Sequence, residues 1–254
     1  MVRPPWSHLR AALRRELGIA TSRHPRSNRG SHSQLALDLA RHHRLHRQRS
    51  GEDIELGSRV SSACMSVNLR MYIASLFELE HAMRRAPMNR WEDPSPCEGW
   101  TARDVAGHAI AVIEHIPARL AGKEGHDPFS DLAAHAGVHP QATCRSARQA
   151  AMVALDSPRV LSATVTTSMG TMTMDAYLVP LARDAVIHAW DIARATRTDE
   201  RLDPGLVDAT LDLLSPTEMA AGRGTYAKPV EIDEGASPQQ RLLAAVGRNP
   251  LPVV

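Results

Sequence analysis

Residues 173–196, TMDAYLVPLARDAVIHAWDIARAT, decide how this chain is read. Tyr177, Leu181, Ile192 and Ala195 share one face at helical spacing, which predicts the longest helix of the chain over Thr173–Thr196. Pro180 either kinks that helix near its first turns or marks its real start. The same face carries Asp184 and His188, so it is apolar at both ends and polar in the middle. These two side chains lie one helical turn apart and can converge on one point. An ionised carboxylate buried alone is costly, so such a group is expected to be paired or bound to a cation.

Residues 101–116, TARDVAGHAIAVIEHI, supply a facing helix. Thr101 is the expected N-cap, with Asp104 completing a capping-box-like pair, which explains Asp104 better than a ligand role does. Val105, Ala109, Val112 and Ile116 form the apolar stripe, and His108 falls on it. Pro117 is expected to interrupt or kink the helix before Leu120. His108, Asp184 and His188 together offer two nitrogens and one oxygen. Three protein ligands with an open fourth position is the arrangement of a catalytic zinc, and bundle sites are built from inward residues on facing helices. The competing reading is a hydrogen-bonded core histidine beside a satisfied Asp–His pair. Spacing alone leaves both open.

The rest of the chain from Val67 onward also reads as helices. Leu69–Arg85 carries a broad apolar stripe (Leu69, Ile73, Leu76, Phe77, Leu79, Met83) and ends before Pro87. WEDPSPCEGW, Trp91–Trp100, is a loop, because two prolines and Gly99 forbid regular structure. Gly122–Pro140 is a polar connection, Ala142–Leu155 a third helix, and Val160–Met172 extended chain or a short hairpin. Pro204–Leu214 and Pro238–Val246 complete the helices. The expected organisation is a disordered basic extension over residues 1–66, a bundle over 67–215, and a tail over 216–254 whose short helix packs on the bundle. Aromatics at 4% also favour an all-α core of Leu, Val, Ile, Met and Ala over a β-sandwich.

Charge is nearly balanced at +2 but unevenly spread. Up to Ser50 the only acids are Glu16 and Asp38, set against many arginines, while Lys123 and Lys228 are the only lysines of the chain. Residues 1–66 admit four readings: a basic arm on nucleic acid, a transit-like presequence, a disordered tail, or translated sequence upstream of a start at Met65 or Met71. The last two are preferred, because little apolar area is available there to offset ordering entropy. His42, His43 and His46 are at most adventitious metal binders. Nucleic acid is not the expected partner, since stacking aromatics are scarce and the bundle itself is not basic. Cys64, Cys97 and Cys144 have no CxxC spacing, which argues against a disulfide framework or cysteine zinc site and suits a reducing cytoplasm. No apolar run reaches the roughly 18–20 residues that span a bilayer.

Two segments, PSPCEGWTARDVAGHAI (Pro94–Ile110) and ARDAVIHAWDIARAT (Ala182–Thr196), resemble the signature stretches of a known family. It is the metal-binding domain family of mycothiol-dependent maleylpyruvate isomerase, in the DinB-like superfamily. Trp100 and His108 match its Trp-led helix start and ligand histidine. Asp184, His188, Trp190 and Asp191 match its acidic residue, second histidine and Trp-Asp pair. The likeness runs from about Leu69 to Leu214, and PVEIDEGASPQQRLLAAVGRNP (Pro229–Pro250) is similar to the ending of an actinobacterial subgroup without a separate C-terminal domain. The resemblance implies a DinB-like four-helix bundle holding a divalent ion, usually zinc, through His108, Asp184 and His188. Two departures are visible. The isomerase has Glu where this chain has the shorter Asp184, and its additional C-terminal domain has no counterpart in the 40 residues after Leu214. Maleylpyruvate isomerisation itself is therefore not the expected reaction.

The expected function is a thiol S-transferase or thiol-dependent isomerase. The ion would bind a low-molecular-weight thiol, mycothiol by family resemblance, as the reactive thiolate. An electrophilic small molecule would be the second substrate, and a homodimer is left open. No residue stands out as a separate catalytic base. The alternative is a non-catalytic metal-binding or stress-associated module with the same ligands. Asp191 is expected either to accept the second N–H of His188 or to pair with Arg194 at the surface. Trp190 is read as packing, Glu114 and His115 as exposed, and Cys97 as a packed thiol with no basic residue beside it.

Overall fold

The computed structural model describes residues 65–167, 169–214 and 227–251. The expectations for the basic extension, including His42, His43 and His46, lie outside the described residues except at Met65 and Ser66. Eight α-helices are described: α1 Val67–Arg85, α2 Ala102–Leu120, α3 Leu132–Ala136, α4 Pro140–Ala154, α5 Pro158–Leu161, α6 Met174–Ala195, α7 Pro204–Asp212 and α8 Pro238–Ala245. A 3-10 turn at Met88–Arg90 precedes the loop to α2. Between α5 and α6, strands β1 (Thr164–Thr167) and β2 (Gly170–Thr173) form an antiparallel hairpin that pairs Val165 with Met172.

The helix starts follow their capping chemistry. The Ser66 hydroxyl accepts from Leu69 N at the head of α1, and Thr101 with Asp104 forms a complete capping box on α2. Thr173 accepts from Ala176 N and starts α6. Pro180 thus neither starts the long helix nor ends it, and α2 runs through Pro117 to Leu120. Both prolines sit in helices with extensive buried faces, and packing of those faces outweighs the lost backbone bond. Two further expectations are corrected. The connection after α2 contains the short helix α3, and the extended segment begins with the single turn of α5.

α1, α2, α4 and α6 form a four-helix bundle, with α1 on α6 and α4, and α2 on α4 and α6. Asn68 near the head of α1 donates to Asp175 near the head of α6 (2.8 Å), while Arg85 at the tail of α1 pairs with Asp199 just beyond α6 (3.6 Å). These two helices therefore run parallel. α2 and α4 run in the opposite sense: just beyond the tail of α1, Met88 meets Gln141 at the head of α4 and the Trp91 carbonyl accepts from Arg103 N at the head of α2, while Glu80 of α1 pairs with Arg145 and Arg148 of α4. The core between them is built from Leu76, Leu79 and Met83, from Ile110, Ile113 and Ile116, from Cys144 and Ala151, and from Leu178, Ile187 and Trp190. Each large apolar side chain buried there contributes about 1.5–3 kcal/mol.

Because α2 and α4 are parallel, the chain must return along α2 before α4 can start. It does so in steps: His115 meets the His126 carbonyl, His108 the Pro128 carbonyl, and Arg103 the Gly137 carbonyl, each at 2.7 Å. Gly107 lies under this return, where an added Cβ would sit 1.8 Å from the Leu132 carbonyl oxygen. The glycine before His108 thus lets the crossover lie flat on the helix. His115 is buried by the same return and Glu114 faces His135 at 3.9 Å, so neither is the freely exposed residue expected. Among the described residues, no helix is long and apolar enough to cross a membrane.

Candidate metal centre

α2 and α6 bring His108, Asp184 and His188 together inside the bundle. All three are buried. His188 Nε2 lies 3.3 Å from one Asp184 oxygen and His108 Nε2 lies 3.6 Å from the other. The imidazole rings meet edge to face with centroids 5.0 Å apart. One donor atom from each of the three residues falls within 4.8 Å of the other two. Ligands 2.0–2.1 Å from a tetrahedral zinc are separated by roughly 3.3 Å. The donor set and its spacing therefore fit a cation between α2 and α6.

The opposite nitrogen of each ring is already engaged. His108 Nδ1 meets the Pro128 carbonyl at 2.7 Å, which accepts only, so Nδ1 carries the proton and Nε2 is the free donor atom. His188 Nδ1 meets Asp191 Oδ2 at 2.9 Å, the carboxylate–histidine arrangement that fixes tautomer and ring orientation in metal sites. Asp191 is fully buried and paired with Arg248, not Arg194. Arg194 lies over the Trp190 ring, 4.7 Å from its centroid, and pairs with Glu200 at 2.8 Å. Trp190 is buried packing, as expected.

Arg248 is the part of the cluster that sequence reading missed. Its Nε and Nη2 donate to the two Asp191 oxygens at 2.9 Å each, and Nη2 also approaches Cys97 Sγ at 3.1 Å. Cys97 Sγ lies 3.4 Å from Asp191 Oδ2. The thiol therefore does have a basic neighbour, delivered by the chain's far end. A local signal for Arg248 exists. Gly247 follows α8 in the left-handed region (φ 75°), and its N–H donates to the Ala244 carbonyl while that of Arg248 donates to Leu243. This Schellman ending reverses the chain and turns Arg248 back toward α6.

Electrostatics follow from this packing. Burial pushes the Asp184 carboxyl up, but the charges and hydrogen bonds of His188 and His108 outweigh it and hold it well below the usual carboxylate range. Burial pushes His188 down, and Asp184, Asp191 and Cys97 together raise it well above the usual imidazole range. Asp191 is lowered by His188 and Arg248 against its own burial. With Asp184 and Asp191 ionised and Arg248 protonated, the cluster carries one net negative charge once both imidazoles are neutral, the form in which histidine binds a metal.

Two Mycobacterium tuberculosis proteins, both described as uncharacterized and from strains CDC 1551 / Oshkosh and ATCC 25618 / H37Rv, are each 26% identical to this chain over 163 residues. The match covers 61% of this chain and 84% of each relative. No solved structure matches the chain at a significant level. The family model of the mycothiol maleylpyruvate isomerase N-terminal domain matches residues 75–193, a span that runs from α1 to the end of α6 and includes His108, Asp184 and His188. Over that span the chain is similar to the mycothiol maleylpyruvate isomerase N-terminal domain family.

Proposed function

We propose that this protein is a metal-dependent thiol S-transferase or thiol-dependent isomerase, with a divalent ion held by His108, Asp184 and His188. The observation that carries the reading is the convergence of three buried donors whose rings are oriented from behind by Pro128 and Asp191. A divalent ion there, zinc by donor set, supplies a Lewis-acid position at which a thiol is held as thiolate.

Charge supports a thiol as the second component. The cluster's one net negative charge becomes one positive charge with a dication, and a single thiolate brings the buried site to neutrality. Each ligand histidine would face the ion through Nε2, with its Nδ1 turned to the Pro128 carbonyl or to Asp191. Asp184 remains the one anionic donor. The thiol's proton leaves to solvent, and its sulfur bonds to an electrophilic carbon that expels a leaving group, or to the β-carbon of a conjugated system whose α-carbon takes up the proton; in isomerisation the adduct rotates about the former double bond and expels the thiolate again. The likeness to the mycothiol maleylpyruvate isomerase N-terminal domain favours mycothiol as the thiol, and the cytoplasm is the compartment in which it would be met reduced.

The test is conjugation of mycothiol to 1-chloro-2,4-dinitrobenzene, or isomerisation of an unsaturated acid, by zinc-loaded protein and by His188→Ala. Turnover that requires His188 is expected. A metal-loaded wild type that accelerates neither reaction would leave a binding module as the better account.

A further inference from the structure

We infer that Trp100 and Phe129 form the wall of this same site that receives the second substrate, and that this substrate is a planar, unsaturated electrophile. The inference rests on the proposed function and narrows its substrate class. Phe129 is 62% exposed and is the one aromatic among the large apolar side chains found exposed in the described residues. It stands beside the metal centre, with its ring centroid 5.1 Å from that of His108 and 6.4 Å from that of Trp100. Trp100 in turn lies 5.2 Å from His108 and is half-buried.

The backbone holds this ring in place. Pro128 accepts from His108 Nδ1 through its carbonyl, and Phe129 N donates to Asp127 Oδ1 at 3.0 Å. The contact that orients the His108 imidazole therefore also sets where the neighbouring Phe129 ring stands. Two tilted rings beside a ligand histidine, one open to solvent, offer π faces and a polarisable edge but no hydrogen-bonding group except the Trp100 indole N–H. Such a wall favours a flat, electron-poor π system over a small polar alkylating agent, because offset or edge-on ring pairs gain about 0.5–1.5 kcal/mol beyond area burial, which is about two- to tenfold in affinity. An aryl halide or conjugated carbonyl compound fits this description. In the reaction, the thiolate sulfur bonds to the activated carbon as halide leaves, or adds across the conjugated double bond with protonation at the α-carbon.

The test uses zinc-loaded full-length protein as wild type, Phe129→Ala, Phe129→Leu and Phe129→Tyr. Binding of the unreactive probe 1,3-dinitrobenzene is measured by calorimetry, and mycothiol conjugation is measured with 1-chloro-2,4-dinitrobenzene and with iodoacetamide. Phe129→Ala and Phe129→Leu are expected to keep their zinc, to weaken probe binding two- to tenfold, and to lower aryl conjugation two- to tenfold more than iodoacetamide conjugation, and Phe129→Tyr is expected to retain probe binding and the wild-type ratio of the two rates. Equal probe binding in all four proteins would overturn the inference, as would a parallel fall with both electrophiles. Phe129-dependent probe binding without conjugation of either electrophile would support the aromatic wall and refute the transferase reading.

Discussion

Arg248 holds Asp191 with two nitrogens, Nε on one carboxylate oxygen and Nη2 on the other, each at 2.9 Å. Both side chains are buried, and Asp191 in turn accepts from His188. The tail beyond α8 is thus wired to a residue of the candidate metal centre. Replacing Arg248 by Met leaves a buried carboxylate without its cation, a change that costs about 3–5 kcal/mol. Metal affinity should also fall about 10–100-fold, since His188 loses its fixed orientation. Chelator competition on Arg248→Met gives the affinity, and thermal unfolding of metal-free protein gives the stability cost. An unchanged affinity would separate the tail from the site.

The metal affinity should fall with acidity. Without an ion, His188 binds its proton unusually tightly between Asp184 and Asp191. An ion must displace the Nε2 proton, so the logarithm of the association constant should rise by about one per pH unit until His188 deprotonates. The stability of the metal-free protein has the opposite trend. A raised histidine contributes stability fully present below its unfolded pKa and lost as pH rises through the raised value. Metal-free protein should therefore weaken toward alkaline pH while loaded protein does not. A pH-independent affinity would argue against His188 as a ligand.

Gly107→Ala tests the crossover. The added methyl meets the Leu132 carbonyl oxygen, a backbone atom that cannot rotate away. Overpacking of this kind costs about 1–3 kcal/mol. It also lifts the segment whose Pro128 carbonyl orients His108. Both melting temperature and metal affinity should drop. A neutral result in both would mean the returning segment is loosely seated.

Glu80 provides an acid-sensitive anchor away from the metal centre. Burial raises its carboxyl, but hydrogen bonds from Arg145 and Arg148 outweigh this and lower it. A lowered carboxylate contributes stability above its unfolded pKa that is lost as pH falls through the folded value. Glu80→Gln should cost roughly 1–2 kcal/mol at neutral pH, with the difference closing below the ordinary carboxylate range. Denaturant midpoints at pH 7 and pH 3 measure it.

Helical periodicity made much of this legible in advance. His108, Asp184 and His188 stood out because each interrupts an apolar stripe, and a stripe predicts an inward face whatever the partner helix. The cap at Thr101 was equally local. The helix break at Pro117 and the helix start at Pro180, each read as one alternative to a kink, do not occur, because the effect of a proline depends on tertiary packing that outweighs a single lost backbone bond. His115 looked exposed because its cover, the returning chain near His126, follows from α2 and α4 being parallel, which no local pattern encodes. Cys97 and Arg248 are 151 residues apart in sequence, so a reading by neighbours found no base beside the thiol.

The central claim is that one cation is held by His108, Asp184 and His188, and metal content tests it most directly. Wild type, His108→Ala and His188→Ala are purified identically, reconstituted with zinc, desalted and assayed for metal per chain. Near one equivalent in wild type and a loss in both variants, with helical content retained, is the expected result. Equal metal in all three proteins, or none in wild type, would contradict it.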